Sequence, residues 1–81
     1  MKKIVRFTAT WCGPCKMLAK TLEDVKTEVP IEVIDIDAQP EIAAEFGIRS
    51  VPTLVMMEDN MATKRLVGNK TKQELEAFIN D

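Results

Sequence analysis

Histidine is absent from the 81-residue chain, and cysteine occurs only twice, as Cys12 and Cys15. A closed tetrahedral zinc site needs four thiolate or imidazole ligands, so this inventory cannot build one and no metal is expected. An excess of positive charge is equally missing. Eleven basic and thirteen acidic residues are spread along the chain for a net charge of −2, which leaves no basic stripe for nucleic acid and no polybasic patch for a membrane surface. Met1-Lys2-Lys3 could open a signal peptide, but Arg6 interrupts the next segment and no apolar run of seven or more residues comes after it. The expectation is a cytoplasmic protein, a setting in which a lone CxxC is more often catalytic than structural. No repeat, low-complexity segment, linker or cofactor-binding motif is present, so residues 1–81 read as one domain without a cofactor.

What is present centres on Trp11-Cys12-Gly13-Pro14-Cys15-Lys16. Two thiols separated by two residues, where an apolar strand turns into an amphipathic helix, can close a disulfide within one helical turn and open it again. A cysteine attacks only as its thiolate, and the first turn of a helix offers unpaired N–H groups and the positive end of the helix dipole to stabilise one. Cys12 has that position. Pro14 suits the first turn because it has no N–H to leave unpaired, and Gly13 allows a partner's backbone to come close. Cys15 lies one turn on, where it can attack a mixed disulfide formed at Cys12. Two plainer readings compete with this one: half of a zinc site, which lacks its other ligands, and a pair of inert buried cysteines, against which the strand-to-helix turn speaks.

With 46% hydrophobic residues the chain has enough apolar material for one small core. Lys3 to Ala9 reads as a strand, with Arg6 as its misfit. From Gly13 or Pro14 to about Thr27 the pattern becomes helical, with Cys15, Leu18, Leu22 and Val25 on one face. Pro30 precedes a second strand, Ile31 to Ile36. Pro40 opens a short helix that Gly47 closes, and Leu54 to Met57 form a third strand. Asp59-Asn60 can supply the left-handed residues of a tight turn, so Ala62 to Val67 should return antiparallel until Gly68. Thr71 and Glu74 form a capping box for a last helix that buries Leu75, Phe78 and Ile79. The expected class is α/β, in the order β-α-β-α-β-β-α. A four-stranded mixed sheet in the order second, first, third, fourth would have helices on both faces.

The WCGPCK motif after an apolar strand, Phe46-Gly47-Ile48-Arg49-Ser50-Val51-Pro52-Thr53 further on, and a strand ending Val67-Gly68 together resemble the thioredoxin family. The resemblance spans nearly the whole chain and lacks only the family's N-terminal strand and helix, leaving a minimal thioredoxin fold of about glutaredoxin size. It implies a thiol-disulfide oxidoreductase that reduces protein disulfides, with Cys12 as nucleophile and Cys15 as resolving thiol. It further implies that Trp11 shields the site, that Pro52 is a cis proline against the disulfide, and that Val51, Pro52 and Gly68 form the substrate groove. The plainer alternatives are a partly buried Trp11 and an ordinary strand-start Pro52. The implied partners are disulfide-containing proteins and, as electron donor, a thioredoxin reductase or related flavoenzyme. A glutaredoxin-like protein recharged by glutathione fits the short length, but Gly-Pro between the cysteines and the lack of a Gly-Gly pair speak against it. A non-catalytic binding module on the same scaffold is the other alternative.

Two positions depart from the family. Its buried Asp, six residues before the first motif cysteine, is Arg6 here, and the Lys common on the neighbouring strand is Val33. The usual proton acceptor of the resolving thiol is therefore missing. Arg6 must either keep its guanidinium near the thiols or carry it out to water on its aliphatic stem. The second strand should form a sheet edge, where Glu32, Asp35 and Asp37 discourage pairing with another chain and favour a monomer.

Overall fold

Ile4 and Val5 are neighbours in the sequence and must point to opposite faces of a strand, yet both are buried, as is Phe7. A strand buried on both faces belongs in the interior of a sheet covered by helices on either side. A computed structural model, which describes residues 1–81, places β1 (Lys2–Thr8) there. The remaining elements are α1 (Gly13–Glu23), β2 (Ile31–Asp35), α2 (Pro40–Glu45), β3 (Thr53–Glu58), β4 (Met61–Val67) and α3 (Lys72–Asn80). The single sheet has the order β2-β1-β3-β4, with β1 and β2 parallel and β3 antiparallel to both β1 and β4. The order and topology expected from the sequence are the ones found.

Two apolar clusters sandwich the sheet. Ile4, Leu54 and Met56 pack with Leu18 and Val25 and with Leu75, Phe78 and Ile79 of α3. On the other face Val5, Phe7 and Val55 pack with Ile34 and with Ala43 of α2, and the ring of Phe46 meets Phe7 at 5.2 Å between centroids.

Local signals account for most boundaries. Asp59 and Asn60 take φ of 51° and 73°, the left-handed pair that joins two right-twisted strands. Gly47 stops α2 with φ of 66°, and Thr71 and Glu74 form the reciprocal cap of α3. One boundary differs from expectation by more than a single residue. Helix α1 ends at Glu23 rather than near Thr27, with Asp24 as its C-cap. Val25 continues the apolar spacing and is buried, but it does so from a turn, its N–H donating to the Leu22 carbonyl. β-Branched Val25, Thr27 and Val29 prefer extended backbone, and Thr27 Oγ1 accepts the Val29 N–H at 3.0 Å, which fixes a non-helical path into β2.

The topology gathers four chain segments at one pole. Parallel β1 and β2 end side by side, so the loops that follow them, at Ala9–Cys12 and Ile36–Asp37, are neighbours. Because β3 runs the other way, its first residue Thr53 pairs with Phe7 near the end of β1 and with Val67 at the end of β4. Pro52 and Gly68 are thereby brought together, and the Gly68 N–H donates to the Pro52 carbonyl at 2.9 Å. A cavity of about 640 Å3, lined by Val5, Ile34 and Met57 among others, opens near Met1 and Asp59 at the opposite pole, and neither cysteine lines it. No helix is long and apolar enough to cross a membrane.

Candidate active site

Cys12 is the N-cap of α1 and has extended backbone, with φ of −92° and ψ of 105°. A helix leaves its first N–H groups without partners, and here the Cys15 N–H points at Cys12 Sγ from 3.1 Å. Pro14 takes a first-turn position that needs no such partner. The two cysteines are joined as a disulfide, their Cα atoms 5.2 Å apart. Both are covered in this state, at 4% exposure for Cys12 and 1% for Cys15, in a small cluster with Ala9 that Ile36 and Val51 adjoin. The sequence placed them at an accessible turn. It is Trp11, Gly13 and Pro14 around them that are exposed, and a Cβ placed on Gly13 would point into open space.

The groove residues named from the sequence meet this disulfide from the other side. The Val51–Pro52 peptide bond is cis, and the Val51 carbonyl oxygen lies 3.8 Å from Cys12 Sγ. Val51 makes no backbone hydrogen bond of its own through either N–H or C=O. The loop is nonetheless held firmly. Buried Thr53 donates its hydroxyl to the Ser50 carbonyl at 2.8 Å. Arg65 Nη2, from β4, donates to the Phe46 carbonyl at 2.8 Å, where α2 gives way to the loop. Gly68, with φ of 93°, closes the far side through its bond to Pro52.

Trp11 is 67% exposed and donates Nε1–H to Asp37 Oδ2 at 2.7 Å. Sequence reasoning named Trp11 but missed Asp37 as its partner. The signal was available: if β1 and β2 are parallel, residues just past their C-terminal ends are neighbours.

Arg6 is the named residue that does not join this front face. It is half-buried, forms no ion pair, and has its pKa lowered by burial. It lines a shallow cavity of about 230 Å3 behind α1, together with Thr8, Thr10, Cys15, Lys16 and Asp35. Cys12 is not among the lining residues. Arg6 is thus only partly withdrawn from water, and the cysteine with which it shares a cavity is Cys15 rather than Cys12. No group of three or more Cys, Asp or Glu residues is arranged to hold a metal ion.

Comparison with known proteins gives concordant results. The profile of the family described as Thioredoxin matches residues 1–81. The chain is 43% identical over 82 residues to the thioredoxin of Mycobacterium bovis, covering 96% of this chain and 71% of that protein. It is 40% identical over 82 residues to a Mycobacterium leprae protein named bifunctional thioredoxin reductase/thioredoxin, covering 96% of this chain and 18% of that one. Among solved structures, a mutant thioredoxin from Halobacterium salinarum superposes with a TM-score of 0.91 at 33% identity, over 98% of this chain and 72% of that one.

Proposed function

From the premise that the chain belongs to the thioredoxin family, we propose that Cys12 is the attacking thiol, Cys15 the resolving thiol, and Val51-Pro52 with Gly68 the strip on which substrate lies. The protein is a thiol-disulfide oxidoreductase, a disulfide reductase whose working couple is Cys12 and Cys15. The observation that supports the division of labour is the placement of Cys12 Sγ at the helix N-terminus with the Cys15 N–H aimed at it.

The steps then follow from the geometry. Cys12 thiolate, stabilised by that N–H and by the helix dipole, attacks one sulfur of a substrate disulfide. A mixed disulfide forms and the other substrate sulfur leaves as a thiolate. Cys15 thiolate next attacks Cys12 Sγ, the Cys12–Cys15 bond closes, and the second substrate thiolate is expelled. Two electrons have passed to the substrate, and the released thiolates take protons from water. An extended substrate segment can pair with the free N–H and C=O of Val51 as an added strand, which would hold its sulfur over Cys12. Trp11, kept upright by Asp37, would shield one flank, and Gly13 and Pro14 leave the approach open.

The proposal extends to a single 1–81 domain acting as a monomer in the cytoplasm, recharged by a thioredoxin reductase or related flavoenzyme. The bifunctional relative named for both activities supports that donor class. Reduction of a disulfide-bonded test protein should proceed with thioredoxin reductase and NADPH. Activity with glutathione and its reductase alone would replace this donor by glutathione.

A further inference from the structure

Resolution needs Cys15 as a thiolate, and its surroundings oppose that. Cys15 is 1% exposed among Ala9, Cys12 and their apolar neighbours Ile36 and Val51, and burial in apolar material raises a thiol's pKa. A carboxylate beside it could take the proton during the attack, but at the position behind Cys15 this chain has Arg6. The cavity behind α1 reaches Cys15 from the rear and is open to water. The charged groups facing that opening are Arg6 from β1, Lys16 from α1 and Asp35 from β2. Asp35 is already occupied, its Oδ1 accepting the N–H groups of Asp37 at 2.8 Å and Ala38 at 3.3 Å. Arg6 has no partner carboxylate. The formal charges of Arg6, Lys16 and Asp35 leave the cavity net positive beside Cys15, with a path to water, and the one carboxylate there is already tied to two backbone N–H groups.

We propose that Arg6 is a positioning residue for the resolving step: its guanidinium, across the rear cavity, holds Cys15 as a thiolate before attack, so that this step needs no internal proton acceptor. The Cys15 proton leaves to water through the cavity ahead of the attack. The sulfur then displaces the substrate thiolate from Cys12 Sγ, and that thiolate is protonated by solvent. Opposite charge within a few ångströms favours an ionised group, whereas a base must be free at the moment of transfer. A cation in this place converts a proton-transfer problem into an electrostatic one. Lys16, exposed at the rim, adds to the field but is more fully screened by water.

The inference rests on Cys12 being the attacker, and the tests separate the two. In Cys12→Ser, thiolate absorbance should give Cys15 a pKa at or below the free-cysteine value of about 8.5 despite its burial. Adding Arg6→Gln should raise that pKa by about one unit, roughly a tenfold loss of thiolate at neutral pH. Arg6→Lys should largely restore it. In Cys15→Ser, the same Arg6→Gln change should move the Cys12 pKa less. Single-turnover resolution should reach its plateau about one pH unit higher in Arg6→Gln than in the parent. Should Arg6→Gln fail to fold, Arg6→Met keeps the stem without the charge. A Cys15 pKa well above 8.5 in Cys12→Ser, no shift on loss of the Arg6 charge, or a larger shift at Cys12 than at Cys15 overturns the proposal. Retained turnover in Cys12→Ser would instead remove the division of labour beneath it.

Discussion

The two sulfurs are covered to nearly the same degree in the disulfide, so exposure does not distinguish them; their hydrogen-bonding partners do. Cys12 Sγ has the Cys15 N–H and the open side of the groove, whereas Cys15 faces Ala9 and the rear cavity. After reduction, alkylation near neutral pH should label Cys12 first, as read by peptide mass, and Cys15→Ser should trap a mixed disulfide with substrate. Equal labelling of both would refute the assignment. The scaffold behind them is equally a matter of single residues. Leu18 is 1% exposed in the face that α1 turns to the sheet. Leu18→Ala should cost about 2–5 kcal/mol in urea unfolding, from lost transfer energy and the cavity left behind. In a domain this small, that is a large share of total stability.

At the scale of the element, α3 depends on its first turn. Thr71 Oγ1 accepts the Glu74 N–H at 3.1 Å and Glu74 Oε1 accepts the Thr71 N–H at 3.0 Å. Thr71→Ala should lower stability by about 1 kcal/mol. The Thr71 backbone N–H holds the Glu74 carboxyl below its ordinary pKa, with a smaller contribution from the Thr71 side chain. A depressed folded value means that the carboxylate's contribution is fully present above the unfolded pKa of about 4.3 and is lost as pH falls through the folded value. Between pH 7 and pH 3, Glu74→Gln should therefore lose less stability than the parent, measured by urea midpoint. In the β3–β4 turn, Asn60→Val should destabilise by about 1–2 kcal/mol, because a β-branched residue resists the φ of 73° found there. Asn60→Gly should not. Elements such as these were legible because their signals are local: a cap spaced by three residues, a left-handed pair, a proline at a first turn. The end of α1 was not, since Val25 satisfies helical spacing while making its burial from a turn. The surroundings of Arg6 and the partner of Asp37 needed the sheet topology as well as the local pattern. They are set by residues distant in the chain, Lys16 and Asp35 for Arg6 and Trp11 for Asp37; the second contact follows from parallel β1 and β2, whereas the first depends on how α1 packs.

For the molecule as a whole, β2 is an edge strand on which Val33 is 49% exposed. Glu32 on that edge pairs with Lys3 at 2.8 Å, which occupies one of its charges without adding another strand. Sedimentation should show a monomer. A dimer that disappears in Val33→Lys would show that the edge recruits a second chain. Monomer or not, the folded chain has to survive both redox states, and the spacing of its cysteines limits how different those states are. A crosslink between residues three apart ties off very little of the unfolded chain. By the loop-entropy relation it adds only about 2 kcal/mol, against about 4.7 for a hundred-residue loop. Melting of the oxidised form should lie on the order of 10 °C above that of the reduced form. The cycle linking folding and oxidation runs both ways: whatever the bond adds to the fold, the fold adds to the bond. Each two-electron turn of the couple therefore shifts the chain's folding free energy by that one term, and the same term appears in the strength of the bond as an oxidant.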